Sequence, residues 1–257
     1  MNDLILINKK MEKLRLGGML MTYEQRLQMA QEEHWSYSSL FDTLLTDEVD
    51  KRENMQLVRR LAKSMLNPGK TLETFDFGFN AKIHASAIRE LACCKFILDA
   101  KNVFLIGPSG VGKSHLAEAI GHEACRRGFD VLCYRTHKIF EWINCGRGDG
   151  SHKRRMNQVI KIPLLILDDF GLQSMSILQQ EDLYEVICER YEKKSLIITS
   201  NRHISEWNEI FTNQLIASAA MDRLVHKAVE IIIDGGSYRV DAFKKSGKGK
   251  AKPQVKE

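Results

Sequence analysis

Residues 102–120 read NVFLIGPSGVGKSHLAEAI, a short run of β-forming residues, a glycine-rich turn and then an amphipathic helix. Gly107, Gly112, Lys113 and Ser114 keep the spacing G-x-x-x-x-G-K-[ST]. Glycines at those places let the main chain wrap around an anion, while successive amide hydrogens converge at the positive end of the new helix. The segment Gly107, Pro108, Ser109, Gly110, Val111, Gly112, Lys113, Ser114 and His115 is therefore expected to cradle the phosphates of ATP. Lys113 is expected on the β- and γ-phosphates, and the Ser114 hydroxyl on Mg2+. The His115 side chain is expected on the helix surface.

A strand entering such a turn also constrains the rest of the chain. Further β-rich runs occur at 131–134, 164–167, 196–199 and 229–233, separated by stretches of helical length. Continuous apolar strands alternating with helices predict a parallel sheet covered on both faces. Residues 1–66 differ: Leu20, Tyr23, Leu27 and Ala30, then Tyr37, Leu40, Phe41, Leu44 and Leu45, follow the three-and-four spacing of amphipathic helices. Asn67-Pro68-Gly69 is expected to end this helical domain, because proline disfavours helix in the residue before it. The organisation predicted is thus a helical interaction domain over 1–66, an α/β domain over 70–243 and a tail over 244–257.

That tail holds six lysines and one glutamate, which accounts for the whole net charge of +5. With so few apolar residues it is expected to be disordered, and it could grip phosphates without reading sequence or serve solubility alone. No apolar run approaches the ~20 residues of a membrane span, and the N-terminal stretch lacks the order of a secretory signal. A cytoplasmic protein without membrane contact is expected. The six cysteines form no C-x-x-C pair; they read as reduced, mostly buried thiols, with Cys93 and Cys94 packed in a helix.

A site that hydrolyses its nucleotide needs carboxylates at the end of a second buried strand. LLILDDFG at 164–171 supplies them. Two aspartates closing an apolar strand are costly unless a cation or water network accompanies them. Asp168 is expected to contact Mg2+, and Asp169 to polarise the attacking water. The next strand ends in Ser200-Asn201, where an amide can hold that water or the γ-phosphate, so Asn201 is a candidate sensor. Lys153-Arg154-Arg155 follows a glycine-rich stretch from Gly146 that is expected to be flexible, and is either a DNA-contacting loop or a solvated helix face.

With GPSGVGKSHLAEAI, LLILDDFG, ITSN, AMDRL and GGSYR in this order, and LRLGGMLMTYEQRL near the start, the chain resembles the AAA+ ATPases of the IstB and DnaC type, and IstB most of all. The resemblance spans nearly everything but the lysine tail. It implies a P-loop NTPase fold: a five-stranded parallel sheet with flanking helices, the P-loop strand central, preceded by a small all-helical domain. It further implies ATP bound between subunits of a homo-oligomer, with Arg223 of AMDRL as an arginine finger onto a neighbour's γ-phosphate, a role suited to a rigid, always charged fork. Arg239 of GGSYR is a second candidate, as a sensor or an interface contact.

Two features depart from that pattern. Asp169 stands where many AAA+ enzymes have glutamate, and too few residues follow the last strand for a full helical lid. The function expected is a DNA-linked ATPase that assembles on double-stranded DNA and assists a transposase. Alternatives are a loader of a replicative helicase and a nucleotide-gated binding module without turnover.

Overall fold

The computed structural model describes residues 2–80 and 82–245, so most of the lysine tail, from residue 246, lies outside the described residues. The chain divides into two compact units, Met1–Arg59 and Arg60–Glu257, with the division ahead of the expected boundary at residue 66.

The first unit is helical: α1 (Asn2–Lys13), α2 (Gly17–Glu32) and α3 (Tyr37–Ser64), whose last turn belongs to the second unit. Helix α2 begins on two glycines because it presses directly on α3. A Cβ on Gly18 would stand 2.4 Å from the Asp47 carbonyl oxygen. The Glu48 carboxylate then accepts the Gly18 and Met19 amides at 2.5 and 3.4 Å, capping the positive end of α2 from the neighbouring helix. Arg26 forks onto Asp47 with two bonds of 2.9 Å. Apolar cover is thin: among the described residues of this unit only Met19 and Leu44 are buried large hydrophobics.

The second unit carries five parallel strands: β1 (Val103–Ile106), β2 (Val131–Arg135), β3 (Leu164–Asp168), β4 (Ser195–Ser200) and β5 (Val229–Ile232). Their order across the sheet is β2-β3-β4-β1-β5. The strand before the glycine turn is therefore interior but not central; β4 takes the middle place, since one strand adds beyond β1 and two beyond β4. Helices α6 (Lys113–Arg126), α7 (Thr136–Cys145), α8 (His152–Lys161), α9 (Ile177–Arg190) and α10 (Gln214–Val225) connect or flank these strands. Two short helices, α4 (Ala85–Ala92) and α5 (Lys95–Leu98), precede the sheet, and α11 (Tyr238–Lys245) follows it. A buried aromatic group fixes one face: the Trp207 ring meets Phe104 and Phe170 edge-on at 5.0 and 4.8 Å.

Local expectations are corrected in three places. Helix α3 stops at Ser64, ahead of the proline turn, because Met65 turns left-handed at φ 62. Cys93 and Cys94 sit at the α4–α5 junction, Cys93 exposed and Cys94 left-handed and buried; only Cys94, Cys125 and Cys133 are buried thiols. The glycine-rich stretch before Lys153 is pinned, not free, since Arg147 and His152 both reach the buried Asp182 at 2.9 Å. Among the described residues no helix is long and apolar enough to cross a membrane.

Candidate functional site

Strand β1 delivers the chain into a turn that only glycine can make. Gly107 has φ 153, and a Cβ there would fall 2.0 Å from the Ile233 carbonyl oxygen. Its amide instead donates to Ser200 O at 3.2 Å, tying the turn to the end of β4. Gly110, at φ 85, would drive a Cβ into Ser237 Oγ at 2.1 Å. Its carbonyl accepts the Tyr238 amide at 3.0 Å, so α11 begins against the loop. Helix α6 then starts at Lys113, aiming its unpaired amides into the turn.

Lys113 is 6% exposed, and its Nζ donates to Pro108 O at 2.8 Å and to Asn201 Oδ1 at 2.7 Å. Burial pulls its ammonium below the ordinary lysine range, against the opposing pull of Asp169 and Asp168, while Arg239 adds to the lowering. At the end of β3, Asp168 Oδ1 accepts from the Thr199 hydroxyl at 2.5 Å. The Asp169 amide donates to that same hydroxyl oxygen at 3.1 Å. Thr199 of β4 thus holds both aspartates in register. Asp169 itself is left-handed at φ 56, with Arg135 Nε 3.8 Å from its Oδ2.

These groups surround one cavity of about 320 Å³. Ser109, Gly110, Val111, Gly112, Lys113, Ser114, His115, Asp168, Asp169, Asn201 and Arg239 all line it. Gly107 and Pro108 belong to the turn but do not reach the cavity wall, and Arg223 is elsewhere. Leu224, the residue after Arg223, is tied through its carbonyl to Asn102 Nδ2 at 2.9 Å, just before β1 begins. Arg223 is therefore at the opposite end of a strand that spans ~13 Å. Its Nη1 donates to Ala219 O at 2.7 Å, and its guanidinium lies 6.0 Å from the Tyr184 ring.

The other wall is a strap over residues 67–80 that sequence reasoning passed over as a turn. Lys70, Thr74, Phe75, Asp76, Phe79 and Asn80 line the cavity from it. One face of α6 grips the strap: His115 Nε2 donates to Thr71 O and His122 Nε2 to Asn67 O, both at 2.9 Å. Glu118 accepts the Asn67 amide at 2.7 Å and the Lys70 ammonium at 2.5 Å. His115 thus fastens the strap from the half-exposed surface of α6. Phe79 meets Tyr238 edge-on at 4.9 Å, and Phe75 meets the His115 ring at 5.1 Å, giving the polar cavity an aromatic side. Phenylalanines at 75, 77 and 79 were the visible signal for it.

A phosphate-cradling turn, paired carboxylates and an aromatic wall on one cavity describe a nucleotide site by their chemistry. The sequence model of one family, described as IstB-like ATP binding protein, matches residues 9–246. The chain belongs to that family.

Its relatives agree. The chain is 35% identical to a protein of Mycobacterium tuberculosis named as the ATP-binding protein of an insertion sequence, over 91% of this chain and 93% of that one. It is 32% identical to the protein of Pseudomonas aeruginosa named as the ATP-binding protein of insertion sequence IS21, over 92% and 89% of the two chains. Among solved structures, AMPPCP-bound DnaA from Aquifex aeolicus superposes with a TM-score of 0.56 at 24% identity, covering 72% of this chain and 56% of that one. The DnaC helicase loader gives 0.53 at 19% identity, covering 66% and 98%. Those two likenesses speak to fold alone, which the IstB-like chain shares with both.

Proposed function

We propose that this IstB-like protein binds Mg-ATP, assembles with copies of itself on double-stranded DNA in the ATP state, and hydrolyses ATP to hand the complex over to a transposase. The observation that carries the reading is the convergence of the glycine turn, Asp168, Asp169 and Asn201 on one cavity, in a chain whose relatives are named for insertion sequences.

Lys113 exchanges Pro108 O and Asn201 for the oxygens of the β- and γ-phosphates. The residues suit a magnesium ion: Ser114 and Asp168 offer hard oxygen donors. Asp168 keeps one carboxylate oxygen free of hydrogen bonds from the described residues. No cluster of three or more His, Cys, Asp or Glu that could cage a metal exists among those residues. That pattern fits an ion held largely by phosphate and water. When bound, Mg2+ neutralises phosphate charge and draws electron density from the transferred group. Asp169 accepts hydrogen bonding from the attacking water, Asn201 orients it, and Arg239 adds a cation at the cavity's edge. Arg223, remote from its own chain's cavity, serves the γ-phosphate of a neighbouring copy. Lys153 and Arg154, exposed at the start of α8, contact DNA phosphates, whereas Arg155 is already engaged by Asp149 at 2.7 Å.

Lys113→Ala should abolish ATP binding and ATP-dependent assembly on duplex DNA; undiminished assembly in a gel-shift or sedimentation assay would defeat the reading. Asp169→Asn keeps a residue type that tolerates the left-handed backbone while removing the base. Hydrolysis should fall about 100-fold or more, with the ATP-bound complex persisting on DNA. Unchanged phosphate release would remove Asp169 from that role. Co-purification with a replicative helicase instead of a transposase would turn the reading towards a loader.

A further inference from the structure

Three consecutive residues at the end of β4 each hold a different part of the nucleotide cavity. Asn201 Oδ1 accepts the Lys113 ammonium at 2.7 Å. Ser200 ties down main chain on two sides: its hydroxyl donates to Phe170 O at 2.8 Å, and its carbonyl accepts the Gly107 amide at 3.2 Å. Thr199 is fully buried and bonded to both aspartates. Asn201, Asp168 and Asp169 line the cavity, and Thr199 stands behind them.

A threonine hydroxyl has one proton to give and lone pairs to receive. The Asp169 amide, 3.1 Å away, can only donate, so it takes a lone pair. The hydroxyl proton is left for Asp168 Oδ1 at 2.5 Å, which makes that carboxylate oxygen an acceptor. From β2, the strand on the other side of β3, the chain continues into Thr136, whose Oγ1 donates to the Asp168 carbonyl at 3.0 Å. Neighbouring strands thus fix the main chain and the carboxylate of Asp168 separately. With Oδ1 engaged by a buried hydroxyl, Oδ2 is the oxygen left for the cavity. The same hydroxyl anchors the amide of Asp169, whose φ of 56 needs a local hold.

We propose that Thr199 is a positioning residue for Mg-ATP hydrolysis: its one hydroxyl leaves Asp168 Oδ2 for Mg2+ and holds Asp169 in the backbone conformation from which it meets the attacking water. This role rests on the Mg-ATP reading above and deepens it, since metal affinity and turnover then depend on a residue outside the cavity wall. Losing a hydrogen-bond partner of a metal-binding carboxylate costs about 10- to 100-fold in metal affinity or activity.

The test compares Thr199→Val, Thr199→Ala and Thr199→Ser in the full chain. Valine keeps the β-branched shape but not the hydroxyl, alanine removes the hydroxyl without setting a methyl group against Asp168, and serine keeps it. Binding of a fluorescent ATP analogue is measured in EDTA and then against rising Mg2+. In EDTA the valine and alanine variants should bind as the parent does. Their Mg2+ midpoint should rise about 10- to 100-fold, and kcat at saturating Mg2+ should fall over the same range with little change in KM for ATP. Serine should restore both. Near-ultraviolet circular dichroism identifies a variant that does not fold, and the other hydroxyl-free variant then decides. A folded hydroxyl-free variant with the parent's midpoint and kcat overturns the proposal. An equal loss of binding in EDTA overturns it too, because the damage is then general to the cavity. A serine variant as impaired as valine does the same by assigning the effect to packing. A parent chain whose nucleotide affinity ignores Mg2+ would instead defeat the Mg-ATP reading itself.

Discussion

The two units of the chain solve the same packing problem to very different degrees. In the α/β unit β1 and β4 are buried throughout and β2 and β3 over most of their length, β5 alone lying open, and Trp207, Phe104 and Phe170 close one face without solvent contact. In the helical unit α3 leaves Tyr37 94%, Phe41 61%, Leu45 42% and Val49 51% exposed at four-residue steps along the helix. The helical unit is instead held by polar fasteners: Glu48 capping α2, and Arg26 on Asp47. Hydrophobic burial is non-directional and scales with area, whereas a cap or an ion pair depends on particular atoms and on pH. One unit should therefore respond to volume and the other to charge.

The largest effect should come from volume. Trp207→Ala empties a fully buried site between two aromatic rings and is expected to cost about 3–5 kcal/mol. In a Trp35→Phe background, tryptophan emission reports on Trp142 and Trp207, both in the α/β unit, so urea denaturation followed by fluorescence of the Trp142 that remains measures the loss. A change below 1 kcal/mol would show that the burial contrast misdescribes the energetics. Next comes charge. Glu48→Ala strips the cap from Gly18 and Met19 and is expected to cost about 1–2 kcal/mol, read as a lower midpoint of the helical unit's unfolding by circular dichroism.

The same unit should be acid-sensitive. Hydrogen bonds from Arg26 and Thr22 hold the Asp47 carboxyl below the usual range. Burial pushes Glu48 up, but Arg52 and the two amides bring it below its ordinary value on balance. A depressed acid stabilises the fold above its unfolded pKa, and that contribution fades as pH falls through the folded value. The helical unit should thus weaken below about pH 4, and Glu48→Ala should blunt the pH dependence. The smallest effect is expected from Phe41→Ser on the exposed stripe, within about 0.5 kcal/mol. A larger loss would mean that this face has a partner.

Much of the α/β unit was legible in the sequence because its signals are local. Each strand lies within a residue of its apolar run at either end, and the glycine turn has one reading once Gly107, Gly112 and Lys113 are spaced as they are. Asp168, Asp169 and Asn201 follow from strand ends, since parallel strands in one sheet deliver their C-terminal residues to the same edge. What stayed hidden depends on contacts across the chain. Phenylalanines alternate at 75, 77 and 79, but nothing in residues 67–80 says that this stretch crosses α6, so Phe75, Phe79 and Lys70 were missed. Arg135 was missed too, as an ordinary charge at a strand end. Arg190 reads as a surface arginine in the last turn of a helix, and only the fold takes it inside. The helical unit shows the converse: its periodicity gave the helices but could not say how little of their apolar faces would be covered.

The left-handed backbone at Asp169 bears on how this family can change. Asparagine, aspartate and glycine tolerate that conformation better than other residues, so the peptide geometry after β3 filters which side chains can occupy the position. A glutamate there would extend the carboxylate by one methylene but would meet a backbone less accommodating to it. Drift towards a longer side chain should then be accompanied by a second change that returns residue 169 to a right-handed conformation, releasing its amide from Thr199. Catalytic tempo and loop shape would have to evolve as a linked pair.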